Sequence, residues 1–150
     1  SANLNAGAGM EANCSPERVM EPLAGDVVWT QWAPPLKKVE WMTPAPHGQG
    51  SKRTVTLAGG QMVKENFFIW KPNQQVAFYV EEGTIAGIEA FAENYDISVH
   101  NNGQSTHLTW TVAIQVTGIG ALFIPVSRFF MNLLFKRWLQ NYKRILENMA

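Results

Sequence analysis

Apolar residues recur along this chain with two different periods, and the change of period divides it. Residues 36–43, 50–58, 61–71, 75–82, 87–100 and 105–116 alternate apolar with polar and predict six strands. Turn signals separate them: His47-Gly48, Gly59-Gly60, Pro72-Asn73, Gly83 and Asn101-Asn102-Gly103. Connections this short suit antiparallel hairpins, because a parallel crossover needs a dozen or more residues. Beyond them Met131, Leu134, Phe135, Trp138, Tyr142, Ile145 and Met149 recur at steps of three and four. That spacing predicts one amphipathic helix from about residue 123 to 148. It is long enough to cover the whole sheet.

The N-terminal third reads differently. Ser15-Pro16-Glu17 is a helix start, with a capping hydroxyl, a proline suited to the first turn and an acid at the positive end of the dipole. Pro22 keeps that helix short. Asp26 is a candidate cap for a second short helix through Trp29 and Trp32, closed by Pro34-Pro35. Ser1 to Gly9, built from Ser, Ala, Asn and Gly with one Leu, reads as a flexible leader or an expression remnant. Met10 is then a candidate start, and residues 10–150 form one domain. The fold class is α+β: a curved antiparallel sheet around a long C-terminal helix, with two short helices near the N-terminus.

Strand alternation assigns side chains to faces. The inward rows hold Val39 and Trp41; Val55 and Leu57; Val63, Phe67 and Ile69; Val76, Phe78 and Val80; Phe91, Tyr95, Ile97 and Val99; and Leu108, Trp110, Val112 and Ile114. Tyr79 and Trp70 alternate outward. Arg53, Glu65, Glu89 and Glu93 fall on the inward rows. An unpaired charge in a dry core costs several kcal/mol. These groups therefore pair, with Arg53–Glu65 or Arg53–Glu93 the candidates, or they line a cavity holding water or ligand.

Composition narrows the partners. Twelve basic residues balance twelve acidic ones, so no net charge steers the chain to nucleic acid. The single cysteine, Cys14, cannot form an internal disulfide and suits a reducing cytoplasm. The apolar run from Ile119 to Phe135 carries Pro125, Arg128 and Asn132 and falls short of the ~20 residues of a membrane span. The first residues lack the basic start and apolar run of a signal peptide. His47, His100 and His107 have no metal-ligand spacing, so no metal and no cofactor are expected. Neither a nucleophile elbow nor a phosphate-binding loop is present in sequence.

Ser15-Pro16-Glu17-Arg18-Val19, Trp32, Val39-Glu40-Trp41, Gly50 to Val55 with Gly59-Gly60, Glu65 with Trp70-Lys71-Pro72, and Ser105 to Trp110 stand in a telling order. This order resembles the polyketide cyclase/dehydrase group of the START-like (SRPBCC, Bet v 1-like) superfamily, over roughly residues 12 to 148. The resemblance implies a helix-grip fold enclosing a cavity for a small hydrophobic molecule of lipid, polyketide or aromatic type. It carries no universal catalytic residue. Two positions depart from the pattern: Met20 stands where tryptophan is common, and Ala8 to Cys14 is poor in strand formers. A weak first strand leaves a sheet edge open and predicts a homodimer.

Three functions follow. In a cyclase or dehydratase, Glu65 and Glu93 are the acid/base candidates, Tyr95 a donor, and Arg53 an enolate stabiliser. In a carrier or sensor the same groups orient a polar end, while Trp41, Phe67, Phe78, Glu89, Phe91, Trp110, Phe130 and Leu134 line the pocket. In an interaction module, Phe129, Phe130 and Leu133 form a partner or membrane-surface patch; the alternative reading of these three is the mouth of the pocket.

Overall fold

The computed structural model describes residues 2–149. Seven strands form one sheet: β1 (Ala2–Ala12), β2 (Leu36–Trp41), β3 (Lys52–Leu57), β4 (Met62–Lys71), β5 (Gln75–Glu82), β6 (Ile88–His100) and β7 (Ser105–Val116). Their spatial order is β1-β7-β6-β5-β4-β3-β2, so the first two strands are the edges and the remainder run as consecutive antiparallel hairpins. Two short helices, α1 (Pro16–Leu23) and α2 (Val27–Trp32), close one end. A 3-10 turn over Gly118–Phe123 leads into the long helix α3 (Ile124–Asn148).

The expected helix-grip architecture is present, with one correction at its start. Of Ser1–Gly9, read from composition as a leader, Ser1 lies outside the described residues, and Ala2–Gly9 belong to the 11-residue strand β1 paired along its length with β7. Low strand propensity is overridden there by pairing and burial: Leu4, Ala6, Met10 and Ala12 all point into the core. Small residues are also required sterically, since a Cβ on Gly7 would run into the Trp110 carbonyl of β7.

The outer edge of β1 is not left open. Arg128 Nε donates to the Asn5 carbonyl at 3.1 Å, Asn132 Oδ1 accepts from Gly7 N at 2.8 Å, and Glu147 Oε2 accepts from Asn13 N at 3.1 Å. Helix α3 thus runs beside the edge strand and satisfies backbone groups that a second chain would need for pairing.

Ser15 caps α1 as expected, accepting from Arg18 N, and Pro22 is tolerated in its last turn. Asp26 precedes α2 but makes no side-chain capping bond. The second half of α3 is held in the grip through buried Phe135, Leu139, Tyr142 and Leu146, and Tyr142 Oη donates to the Val19 carbonyl at 2.6 Å. Gly118–Asn148 is, by length and composition alone, enough to cross a membrane, which the shorter run read from sequence was not. A span would have to extract those four side chains from the core.

Candidate functional site

Strands β3 and β4 bring Arg53 and Glu65 directly opposite each other on the inner face. Arg53 Nε donates to Glu65 Oε1 at 2.6 Å, and both residues are buried. The guanidinium carbon sits 4.1 Å from the Trp29 ring centroid, 4.8 Å from that of Phe78 and 5.0 Å from that of Phe67, so aromatic faces supply the rest of its environment. Arg53 Nη1 has no hydrogen-bond partner among the described residues. Burial pushes the Glu65 carboxyl above its ordinary value, and the adjacent Arg53 opposes that shift. With a guanidinium that cannot lose its proton at contact distance, Glu65 remains the counter-ion.

Glu93 is built differently. On β6 it lies two residues from Tyr95, which pairs across the ladder with Trp110 of β7. Tyr95 Oη donates to Glu93 Oε1 at 2.7 Å, and Trp110 Nε1 donates to the same oxygen at 2.8 Å. Among the described residues Oε2 receives neither bond. Burial raises the Glu93 carboxyl to about 7, the nearby Glu65 charge adds to the rise, and the two donors oppose it. The Tyr95 phenol is pushed well above its ordinary value, by burial first and by Glu93 second. Near neutral pH Glu93 is therefore divided between acid and carboxylate. In the acid form both donors occupy Oε1, and the proton belongs on Oε2.

Beside these groups is a cavity of about 290 Å³. The sheet contributes Leu57, Val63, Glu65, Val80, Phe91, Glu93, Tyr95, Trp110 and Val112 to its wall, and α3 contributes Met131, Leu134, Phe135 and Trp138. Trp29 and Trp32 of α2 reach in from the end, Trp32 packing on Trp110 at 5.2 Å and on Tyr142 at 5.1 Å between centroids. Pro35 and Leu134 are solvent-exposed and stand where the cavity meets the surface.

Of the site residues expected from the alternating pattern, Glu65, Glu93, Tyr95, Phe91, Trp110 and Leu134 line this cavity. Arg53, Phe67 and Phe78 instead form the buried layer behind its wall, and Trp41 stacks on His47 at 3.9 Å between centroids. Glu89 is a correction: the register shifts between Ile88 and Ala90, and this bulge turns Ile88 to the cavity and leaves Glu89 in solvent. Phe130 is a second, exposed on the outer side of α3 and absent from the cavity wall. A third concerns β4, where a shift between Phe67 and Ile69 puts Trp70 opposite Val76, on the inner side in place of Ile69. Trp70 there packs on Phe67 at 5.3 Å.

Trp29 and Trp32 are wall residues that strand alternation could not identify, although their i, i+3 spacing marks them as one helix face. Ile85 of the β5–β6 connection and Ile88 at the start of β6 were likewise missed.

Residues 8–150 match the family described as polyketide cyclase / dehydrase and lipid transport. Uncharacterized proteins of Mycobacterium tuberculosis (strain H37Rv) and Mycobacterium bovis are each 35% identical over 130 residues, spanning 87% of this chain and 77% of theirs. A START superfamily protein from Mycobacterium smegmatis superposes with a TM-score of 0.77 at 13% identity, each chain covered in full. A Thermus thermophilus protein does so with a TM-score of 0.73 at 14% identity, 99% of each chain covered. The chain belongs to the polyketide cyclase/dehydrase and lipid transport family and has the START-like fold; family and fold point to a hydrophobic ligand.

Proposed function

We propose that this domain binds a small, largely apolar molecule carrying one hydrogen-bonding group, such as a carbonyl, in the cavity between sheet and α3. The observation that carries the reading is Glu93: a carboxyl raised to about 7 whose two protein donors share one oxygen, in a largely apolar chamber where the other lining carboxyl, Glu65, is paired with Arg53. A neutral Glu93 donates from Oε2 to a ligand oxygen; an ionised one accepts from a hydroxyl. At about 290 Å³ the chamber is at the small end of ligand pockets, roughly 300–1,000 Å³, which favours one or two rings over a whole phospholipid. The lone, buried Cys14 supports a cytoplasmic setting.

Turnover as a cyclase or dehydratase is the finer form of this proposal, with Glu93 as the proton-transfer group and Tyr95 holding it. Arg53 is committed to Glu65 behind the wall, so binding and proton transfer rest on Glu93. Native mass spectrometry of the purified chain, followed by solvent extraction, tests the reading. A stoichiometric small apolar compound supports it. A bound compound that Glu93→Gln retains but no longer converts supports turnover, and one bound equally by a cavity-filled Val112→Phe variant rules out the cavity as its site.

A second reading has its own observation. Ile119, Leu122, Phe123, Val126, Phe129, Phe130 and Leu133 are all more than half exposed at the start of α3. From Gly118 to Leu146 the sequence holds Arg128, Lys136, Arg137, Lys143 and Arg144 and no acid. An apolar tip with Arg128, Lys136 and Arg137 within about two turns of it suits an anionic membrane surface beside the cavity mouth. It suits a second copy less well, since two such faces would repel. Co-sedimentation with vesicles containing phosphatidylserine, reduced by Phe129→Ser/Phe130→Ser, supports membrane docking. A dimeric mass in light scattering that those changes dissociate supports the homodimer instead.

A further inference from the structure

Three side chains with no role in the cavity converge on the opposite, outward face of the sheet. Glu11 of β1 is the register partner of His107 of β7, and His100 lies diagonally across on β6. One ligand atom from each lies within 4.8 Å of the other two. His100 Nδ1 is 2.6 Å from Glu11 Oε1, and the two imidazoles stack with centroids 5.5 Å apart and planes 12° from parallel. In sequence Glu11 stands far from both histidines, so no spacing motif announces the three; adjacency across three strands creates the cluster.

We propose that Glu11, His100 and His107 form a site for a divalent transition metal, Zn²⁺ being the best fit. Two imidazoles and one carboxylate suit zinc and its neighbours rather than magnesium or calcium, which prefer all-oxygen shells. Three protein ligands leave a fourth position to water, and the exposure of Glu11 and His100 admits it. Zinc–ligand bonds of about 2.0–2.2 Å at tetrahedral angles place ligand atoms roughly 3.4 Å apart. Seating the ion therefore asks Glu11 and His100 to separate by less than about 1 Å from their present hydrogen bond, and the His107 nitrogen to close by up to about 1.4 Å from within 4.8 Å, movements that partly exposed side chains can make.

The backbone is arranged to permit this. His107 lies over Gly9 of β1, where an added Cβ would come within 3.0 Å of its Nε2. Gly9 leaves room for the ring above the edge strand. Once bound, the metal ties β1 to β6 across β7. It would clip in place an edge strand whose Gly, Ala and Asn content gives it little strand propensity of its own.

Isothermal titration of the tag-free chain with ZnCl₂ tests the site, with Co²⁺ absorption reporting coordination geometry. The expected result is saturation at one Zn²⁺ per chain, a rise in melting temperature with added Zn²⁺, and a tetrahedral or five-coordinate Co²⁺ spectrum. His107→Ala and His100→Ala each weaken binding at least tenfold and abolish the thermal shift, while His47→Ala changes neither. The melting temperature without metal, measured on every variant, separates lost ligation from lost folding, and Glu11→Gln provides a near-isosteric substitution. Absence of saturable uptake overturns the proposal, as does uptake that His100→Ala and His107→Ala leave unchanged.

Discussion

Arg53 and Glu65 face each other across β3 and β4 at 2.6 Å, both buried, with aromatic rings packed around the guanidinium. The pair holds the wall of the chamber in register. Its strength comes from mutual compensation, so its members differ sharply from ordinary core residues in how they tolerate change.

Removing one partner strands the other. Arg53→Met and Glu65→Gln should each destabilise the fold by about 3–5 kcal/mol, while the double change Arg53→Met/Glu65→Gln costs much less than their sum. Urea unfolding of the four proteins in the cycle measures the coupling. Near-additive losses would mean that the two charges act independently.

Glu93 should make stability depend on pH. Its carboxyl is raised from 4.5 to about 7 in the folded chain, so the folded state binds the proton more tightly. That contribution is fully present below about pH 4.5 and lost as pH rises through 7. Between about pH 5.5 and 8, the wild-type chain should lose about 2 kcal/mol relative to Glu93→Gln, which cannot titrate. Parallel stability curves for the two proteins would contradict the shifted carboxyl.

Tyr142 links the grip helix to α1 through its bond to the Val19 carbonyl. Tyr142→Phe leaves that buried acceptor without its partner and should cost about 1–3 kcal/mol in chemical denaturation, with the cavity and its contents unaffected.

Gly7 tests the close approach of β1 to β7. Gly7→Ala introduces a Cβ against the Trp110 carbonyl, and ordinary strand propensity predicts the opposite sign, since Ala is preferred to Gly in a strand. The structure predicts a lower melting temperature and faster amide exchange along Ala2–Ala12. An unchanged or higher melting temperature would show that the strand relaxes outward.

Period-two alternation located β2 to β7 and the inward position of Arg53, Glu65 and Glu93, because one buried face leaves a direct trace in residue type. It failed at Glu89 and Trp70, each beside a register shift, where one extra residue exchanges the faces and composition carries no mark of it. β1 was hidden for another reason. Its Gly and Ala residues satisfy tight packing against β7 and α3, a tertiary demand that overrides strand propensity. The Glu11–His100–His107 cluster exists only across strands, so linear spacing could not show it. Likewise, strand patterns could not place Trp29 and Trp32 of α2 in the chamber wall.

Whether the chamber beside Glu93 takes a small apolar molecule decides the functional reading. Calorimetric titration of the chain at about pH 6, on the acid side of the raised Glu93 carboxyl, with benzene, toluene, indole and acetophenone, repeated with Val112→Phe, answers it. Saturable one-to-one binding of at least one probe is expected, abolished in the filled variant while its melting temperature is maintained. Acetophenone should be weakened by Glu93→Ala and benzene should not. No saturable binding of any probe, or binding that Val112→Phe leaves intact, would contradict a ligand chamber at Glu93.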